Sequence, residues 1–354
     1  MKILSVLGAR PQFIKAAAVS REIKNAKGLN EVIVHTGQHF DKNMSDIFFD
    51  EMEIPKPNYM LNINSLSHGA MTGKMLIEIE KTIIKESPDI VLVYGDTNST
   101  IAGALSAKKL HIKVAHVEAG LRSYNLKMPE EVNRILTDRI SDILFCPTDV
   151  AINNLKDEGF KQNVYNIVKN GDVMQDAAIY YSKTSAERSE IIKKLNLSDY
   201  ILCTIHRAEN TDDPNRMLSI VKALNDINKD IEIVLPLHPR TKKTIEKLDL
   251  DLKVKIIDPV GYFDMIELIK HSNLVITDSG GLQKEAFFFK RHCVTLRDET
   301  EWTELIDNGY NILAGSNQEI IKNNITRMLS KESDFTLNLY GEGKASKAIV
   351  ETLL

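Results

Sequence analysis

The chain has 354 residues, more than one typical hydrophobic core accommodates, so two domains are expected. Its 43% hydrophobic and 27% charged residues are those of an ordinary globular protein, and a net charge of −4 argues against a broadly basic surface for nucleic acid. The three cysteines, Cys146, Cys203 and Cys293, stand far apart in apolar stretches without metal-ligand spacing, which reads as reduced core thiols rather than a disulfide framework.

Lys2–Leu7 is a short apolar run that reads as a buried strand. It leads into Gly8, which permits a tight turn, and Pro11, which suits the first turn of a helix over Gln12–Lys24. Arg10 then stands where unpaired N–H groups would face an anion. The next strand candidates are "EVIVHT", "DIVLVYGD", "KVAHVEA" and "DILFCP", with helical patterns between them such as Gly69–Glu86 and Thr97–Leu110. Strands apolar throughout and separated by helices indicate a parallel sheet covered on both faces.

The pattern restarts with "DYILCTIH", "IEIVLPLH", "KVKIID", "NLVITD" and "HCVTLR". Two successive βα series predict two doubly wound α/β domains, 1–169 and 170–335, joined near Val168–Asp176 where Asn170-Gly171 breaks the pattern. The tail from about 336 to 354 closes on a helical pattern, Lys344–Leu354, that could pack back on the first domain. The first residues enter a strand without a basic segment, long apolar core or cleavage site, and no run approaches the ~18 apolar residues of a membrane span. No membrane association and a cytoplasmic location are therefore expected.

In open parallel sheets ligands sit beyond the carboxyl ends of the strands. Polar groups collect there consistently. Gly8, Arg10 and Lys15 follow the first strand; Gln38, His39 and Asp41 follow the second; Asp96, Glu118 and Arg122 follow the next two. In the second half, His206-Arg207, His238-Pro239-Arg240 and Asp278-Ser279-Gly280-Gly281 repeat the arrangement. Each has a plain structural reading: Asp96 as the cap of the helix near Thr97, His39 or His116 as a hydrogen-bonded structural residue, Glu130 and Glu131 as first-turn acids, Arg134 and Arg139 as a solvated or ion-paired face. The strongest local signal is "DSGGLQKEA", where a strand turns through glycines into a helix. Such a turn lets phosphate oxygens reach backbone N–H groups, and Glu285 one turn on could accept ribose hydroxyls. Neither GxGxxG nor GxxxxGK[ST] occurs, which weakens dinucleotide and P-loop readings.

Taken in order, "GARPQFIK", "TGQHFD", "VYGDTNST", "HVEAGLRS", "PEEVNRILTD", "TIHRAEN", "HPR" and "DSGGLQKEA" resemble the motifs of the non-hydrolysing UDP-N-acetylglucosamine 2-epimerases, from Lys2 to about Leu329. The resemblance implies two Rossmann-like domains facing a cleft in the GT-B manner, with a UDP-sugar as partner and no cofactor or metal. It implies that Arg10, Lys15, His206, Ser279 and Gly280 meet the diphosphate and Glu285 the ribose. Gln38 and Arg207 would lie near the sugar or at the domain interface, and His238 among the substrate-binding residues. Asp96, Glu118 and Glu130 match the acidic positions of the chemistry, with His206 beside the leaving group. A homodimer is implied on the same basis.

Three departures stand out. Lys284 replaces an acid usual in the best-known members, "RDETEWTELI" replaces a Thr-Glu-Arg-Pro-Glu run, and "YNLKM" is a shortened loop without their Ser-Pro-Trp segment. Activation by a second UDP-sugar is therefore not carried over. These departures look more like the branch acting on UDP-2,3-diacetamido-2,3-dideoxyglucuronate in surface-polysaccharide synthesis. UDP-N-acetylglucosamine stands as the first expectation and that uronate as the alternative. For the uronate, Arg122, Lys127 or Arg297 could supply a cation near carbon 6. A glycosyltransferase and a non-catalytic UDP-sugar sensor remain as rival functions.

Overall fold

The computed structural model describes residues 1–38, 54–161 and 163–354, with the side chain of Arg10 also outside the description. His39 and Asp41 thus lie outside the described residues. The chain divides into two compact units, Met1–Ala177 with Asn338–Leu354, and Ala178–Leu337.

Unit 1 is a seven-stranded sheet of order β3-β2-β1-β4-β5-β6-β7, every pair parallel. Its strands are β1 (Lys2–Leu7), β2 (Asn30–His35), β3 (Tyr59–Met60), β4 (Ile90–Tyr94), β5 (Lys113–Val117), β6 (Ile143–Cys146) and β7 (Asn166–Lys169). Leu4, Val6, Val34, Val91 and Val93 present one face to Met75, Ile79 and Ile83 of the helix His68–Glu86. The C-terminal helix Ala345–Leu353 packs against the helix Arg10–Asn25. Asp176 fixes its start, accepting from the backbone N–H of Ala345 at 3.1 Å and of Ser346 at 2.7 Å.

Unit 2 repeats the plan in a six-stranded parallel sheet of order β10-β9-β8-β11-β12-β13. The strands are β8 (Tyr200–Thr204), β9 (Glu232–Pro236), β10 (Lys255–Ile257), β11 (Leu274–Thr277), β12 (Cys293–Thr295) and β13 (Asn311–Leu313). Alternate residues serve the two faces, as strand geometry requires. Ile201, Cys203, Ile233 and Ile276 pack on Met217, Ile220 and Leu224, whereas Leu202, Val234 and Val275 pack on Leu268, Leu282 and Ala286. All three cysteines are buried, and burial pushes the Cys293 thiol up to about 12.

The α/β class with two doubly wound parallel sheets is as the sequence predicts. In both sheets the strand order reverses at one place, between β1 and β4 and between β8 and β11, and that is where such folds take ligands. Among the described residues no helix is long and apolar enough to cross a membrane.

Candidate active site

The first rim is built around Gly8. A Cβ there would lie 2.1 Å from both Ser99 Oγ and Thr36 Oγ1, so only glycine lets β1 pass under these side chains. Gln12, at the third position of the following helix, accepts from the N–H groups of Gly8 at 2.8 Å and Ala9 at 3.0 Å. Its amide donates across the switch point to the Tyr94 carbonyl at 2.8 Å. Gln12 therefore locks the turns after β1 and β4 together. Gln38 accepts from Ser99 N–H at 3.1 Å and Ser99 Oγ at 2.8 Å, which holds the turn after β2 in the same network.

Lys15, one turn into the helix, is buried and forms an ion pair with Glu118, which follows β5. The pair lies over Gly95: a Cβ on that glycine would be 3.2 Å from each charged atom. Glu118 adopts a left-handed backbone, φ 73°, in which a non-glycine residue is held only by surrounding constraints.

Asp96 does not cap the helix Asn98–Lys109, contrary to its plain structural reading. Thr97 caps that helix, accepting from Thr100 N–H at 3.3 Å, because its hydroxyl lies at the N-cap position itself. The Asp96 carboxylate instead pairs with Arg134 and stays 30% exposed, open to a ligand on one side. Arg134 is buried and also bridges to Glu131 at 2.6 Å. Glu131 in turn accepts from the N–H groups of Ser123 and Tyr124 at 3.0–3.1 Å and 2.9 Å. The two first-turn acids of the helix Pro129–Ile140 therefore differ: Glu131 is structural, and half-buried Glu130 has no hydrogen-bond or ion-pair partner among the described residues.

Two cations proposed for a uronate carboxylate are otherwise engaged. Arg122 is fully buried, its guanidinium donating to Glu158 at 2.5 and 2.9 Å and to Asp138 at 2.7 Å. Burial alone would favour its neutral form, but these two carboxylates outweigh it and hold its pKa above the usual value. Arg297 is 1% exposed and paired with Glu301 at 3.0 Å. Lys127 is the exposed member of the three.

The second rim is organised by one carboxylate. Asp278, fully buried after β11, accepts from His206 N–H at 3.0 and 3.1 Å, Arg207 N–H at 3.0 Å and Asn210 Nδ2 at 3.2 Å. The His206 ring is 39% exposed, with Nδ1 3.3 Å from the same carboxylate and its centroid 5.8 Å from that of His238. His238 accepts from Arg240 N–H at 3.2 Å and so caps the helix Pro239–Lys247. Ser279 caps the helix Gly280–Phe288 by position, without a side-chain hydrogen bond to it; its own N–H donates to Thr277 at 2.9 Å. Glu285 is buried one turn inside that helix. Asp278, His206, Arg207, His238, Ser279 and Gly280 thus gather at the carboxyl ends of unit 2, and Lys15, Gln38, Asp96 and Glu118 at those of unit 1.

Two of the three departures from the family pattern also meet. Lys284 Nζ lies 3.8 Å from the centroid of the Trp302 ring, with both residues buried. Among the described residues no group of three or more His, Cys, Asp or Glu side chains could hold a metal ion.

Sequence reading places Asp278 on the rim and Arg134 on a polar face without their organising roles, and it misses Gln12 and Asp138. Only Gln12 carries a local signal, a Gln at the third helical position able to reach back to the chain entering the helix.

Two doubly wound parallel sheets, one rim lined by acids and the other by backbone N–H groups and histidines, define an α/β enzyme of the nucleotide-sugar type. The model of the UDP-N-acetylglucosamine 2-epimerase family matches residues 21–354, and the chain belongs to that family of isomerases. It is 57% identical over 354 residues to the UDP-2,3-diacetamido-2,3-dideoxy-D-glucuronate 2-epimerase of Pseudomonas aeruginosa, covering 100% of this chain and 99% of that protein. It is 46% identical over 366 residues to the UDP-N-acetylglucosamine 2-epimerase of Methanocaldococcus jannaschii, covering 100% and 99%. The crystal structure of the M. jannaschii enzyme in complex with UDP-GlcNAc and UDP superposes with a TM-score of 0.94 at 45% identity, covering 100% of this chain and 99% of that one.

Proposed function

We propose that this protein inverts carbon 2 of UDP-2,3-diacetamido-2,3-dideoxyglucuronate. The sequence alone ranks UDP-N-acetylglucosamine first, and the comparison reverses that order. The observation that carries the choice is the 57% identity, over the whole chain, to an epimerase named for the uronate, against 46% to one named for UDP-N-acetylglucosamine. The contact between Lys284 and Trp302, two positions that depart from the pattern of the best-known members, supports it.

The proposed route is anti elimination of UDP followed by re-addition. A carboxylate takes the proton from carbon 2, the C–H electron pair forms the ring double bond, and the anomeric C–O pair leaves with UDP. A proton then returns to the opposite face as UDP adds back. Asp96, Glu118 and Glu130 are the proton-transfer groups in this reading, because three separate turns deliver their carboxylates. Lys15 stands beside Glu118, so the ammonium that would meet the leaving diphosphate adjoins a carboxylate that would move a proton. Arg10, His206, Ser279 and Gly280 are assigned to the diphosphate, Glu285 to the ribose, and Gln38, Arg207 and His238 to its neighbourhood. Donors that oppose charge developing on a leaving group are each worth about 3 kcal/mol of barrier. The route itself calls for no nicotinamide or metal.

Lys127 is the cation we assign to the uronate carboxylate, since Arg122 and Arg297 are committed to buried acids. Membership of a cytoplasmic surface-polysaccharide route and a homodimeric state belong to the same proposal. The test is kcat/KM for the two UDP-sugars side by side. The uronate is expected to be preferred, and Lys127→Ala to lower kcat/KM for it about tenfold while leaving UDP-N-acetylglucosamine turnover alone. Preference for UDP-N-acetylglucosamine would restore the first expectation.

A further inference from the structure

Asp96 and Glu118 sit on different turns, after β4 and after β5, and a single buried side chain joins those turns. His116 in β5 is wholly buried, with Nε2 2.7 Å from the Gly95 carbonyl and Nδ1 2.7 Å from Asp138 Oδ1. A carbonyl only accepts, so Nε2 carries a hydrogen. The other oxygen of Asp138 accepts from Arg122 at 2.7 Å and from Gly120 N–H at 3.1 Å. The line from the peptide preceding Asp96 to the peptide two residues after Glu118 therefore runs Gly95, His116, Asp138, Gly120. Arg122 and Glu158 anchor its far end.

Both turns need such a tie. Gly95 and Gly120 have φ of 61° and 81°, and Glu118 between them has 73°. A Cβ on Gly120 would lie 2.4 Å from the Ala151 carbonyl, so this turn is pressed against the helix Asp149–Asp157 with no room to relax. A left-handed Glu118 is strained and persists only where neighbours over-determine it. An apolar side chain at position 116 would pack equally well but would leave the Gly95 carbonyl and Asp138 without their partner.

We propose that the buried His116–Asp138 pair is a positioning device for the reaction, setting the distance between the acid-bearing turns of Asp96 and Glu118 without touching substrate. It rests on the epimerase reading above for its kinetic consequence, though not for its structural one. Positional errors near 1 Å in reacting groups cost on the order of 100-fold in rate.

The test uses the full chain. His116→Gln keeps a donor for Gly95 but turns its carbonyl on the Asp138 carboxylate, whereas Asp138→Asn alone can still pair, its amide N–H donating to a neutral His116 Nδ1 and its carbonyl accepting from Arg122 and Gly120. His116→Gln is expected to lower kcat between 10- and 100-fold, with KM and UDP affinity within about twofold of wild type, and Asp138→Asn to lower it by less. The double variant, His116→Gln with Asp138→Asn, restores a donor–acceptor match, the introduced glutamine carbonyl accepting from the introduced asparagine amide. It is expected to exceed His116→Gln in kcat. Wild-type kcat in His116→Gln, equal losses in kcat and UDP affinity, or a double variant no better than His116→Gln would overturn the proposal. Should those variants not accumulate folded, Glu158→Gln loosens only the outer anchor: a kcat reduced about threefold at constant KM supports the device, and an unchanged kcat overturns it. Crystal structures of wild type and His116→Gln (or Glu158→Gln) require no substrate and so separate this claim from the choice of sugar. Displaced Gly95–Asp96 and Glu118–Gly120 turns support it; superimposable ones contradict it, whichever UDP-sugar the enzyme accepts.

Discussion

The two units share a strand order and differ in what they place at the switch point. In unit 1 the rim is a lattice of side-chain contacts, with ion pairs of Lys15 with Glu118, Arg134 with Asp96 and Glu131, and Arg122 with Asp138, and a hydrogen bond between His116 and Asp138. In unit 2 it is mostly backbone, with the N–H groups of His206 and Arg207 drawn together by Asp278. Two of the three carboxylates proposed to move protons, Asp96 and Glu118, are held by opposite charges, whereas a phosphate is met best by unencumbered N–H groups and cations. One fold therefore supplies the proposed proton-transfer acids at one rim, beside the cation Lys15, and mostly backbone donors for an anion at the other. That is a division of labour between side chains and backbone.

Substitutions should separate the two rims. The largest effect is expected at the acid rim: Glu118→Gln or Asp96→Asn should lower kcat by roughly 10²- to 10⁴-fold while UDP affinity stays within about threefold. Turnover assays with calorimetric UDP titration would show this, and a parallel loss of UDP binding would erase the contrast. At the other rim, Asp278→Asn leaves the N–H groups of His206 and Arg207 facing an amide. A lost buried acceptor costs about 1–3 kcal/mol, so UDP affinity should fall roughly 5- to 150-fold. Here kcat at saturating substrate should change less than affinity.

The smallest effect is on stability against pH. Burial opposes ionisation of Asp138, but His116 and Arg122 outweigh it and hold the carboxyl below its ordinary value of 3.8. Its folded pKa is depressed, so its contribution is complete above that ordinary value and is lost as pH falls through the lower folded one. Urea midpoints should therefore hold steady above about pH 5 in this respect and fall below about pH 4. Asp138→Asn should lack that acid-dependent component, and an unchanged acid limb in the variant would remove Asp138 as its source.

The strands legible in the sequence are those with long apolar runs. β3, β7 and β13 are edge strands of two, four and three residues with little apolar length to show, whereas the equally short edge strand β10 is read because "KVKIID" concentrates β-branched residues. The rim acids are legible from their places after the strands. Their partners are not: Arg134 reaches Asp96 across 38 residues, and no local pattern says which carboxylate a distant arginine will choose. The cap reading of Asp96 fails for a related reason, since Thr97 and Asp96 are equally plausible until the helix start is fixed to one residue. Arg122 shows the converse error, a basic residue beside the acids whose charge is consumed by Asp138 and Glu158 beneath the turn.

The central claim is that elimination and re-addition at carbon 2 pass through proton exchange on the carboxylates of unit 1. The direct measurement is incubation of the enzyme with UDP-2,3-diacetamido-2,3-dideoxyglucuronate, and separately UDP-N-acetylglucosamine, in D₂O without added nicotinamide or metal. Deuterium at carbon 2 of both recovered substrate and epimer is the predicted result. Epimer formed with its original hydrogen, or no exchange with either sugar, would contradict the account.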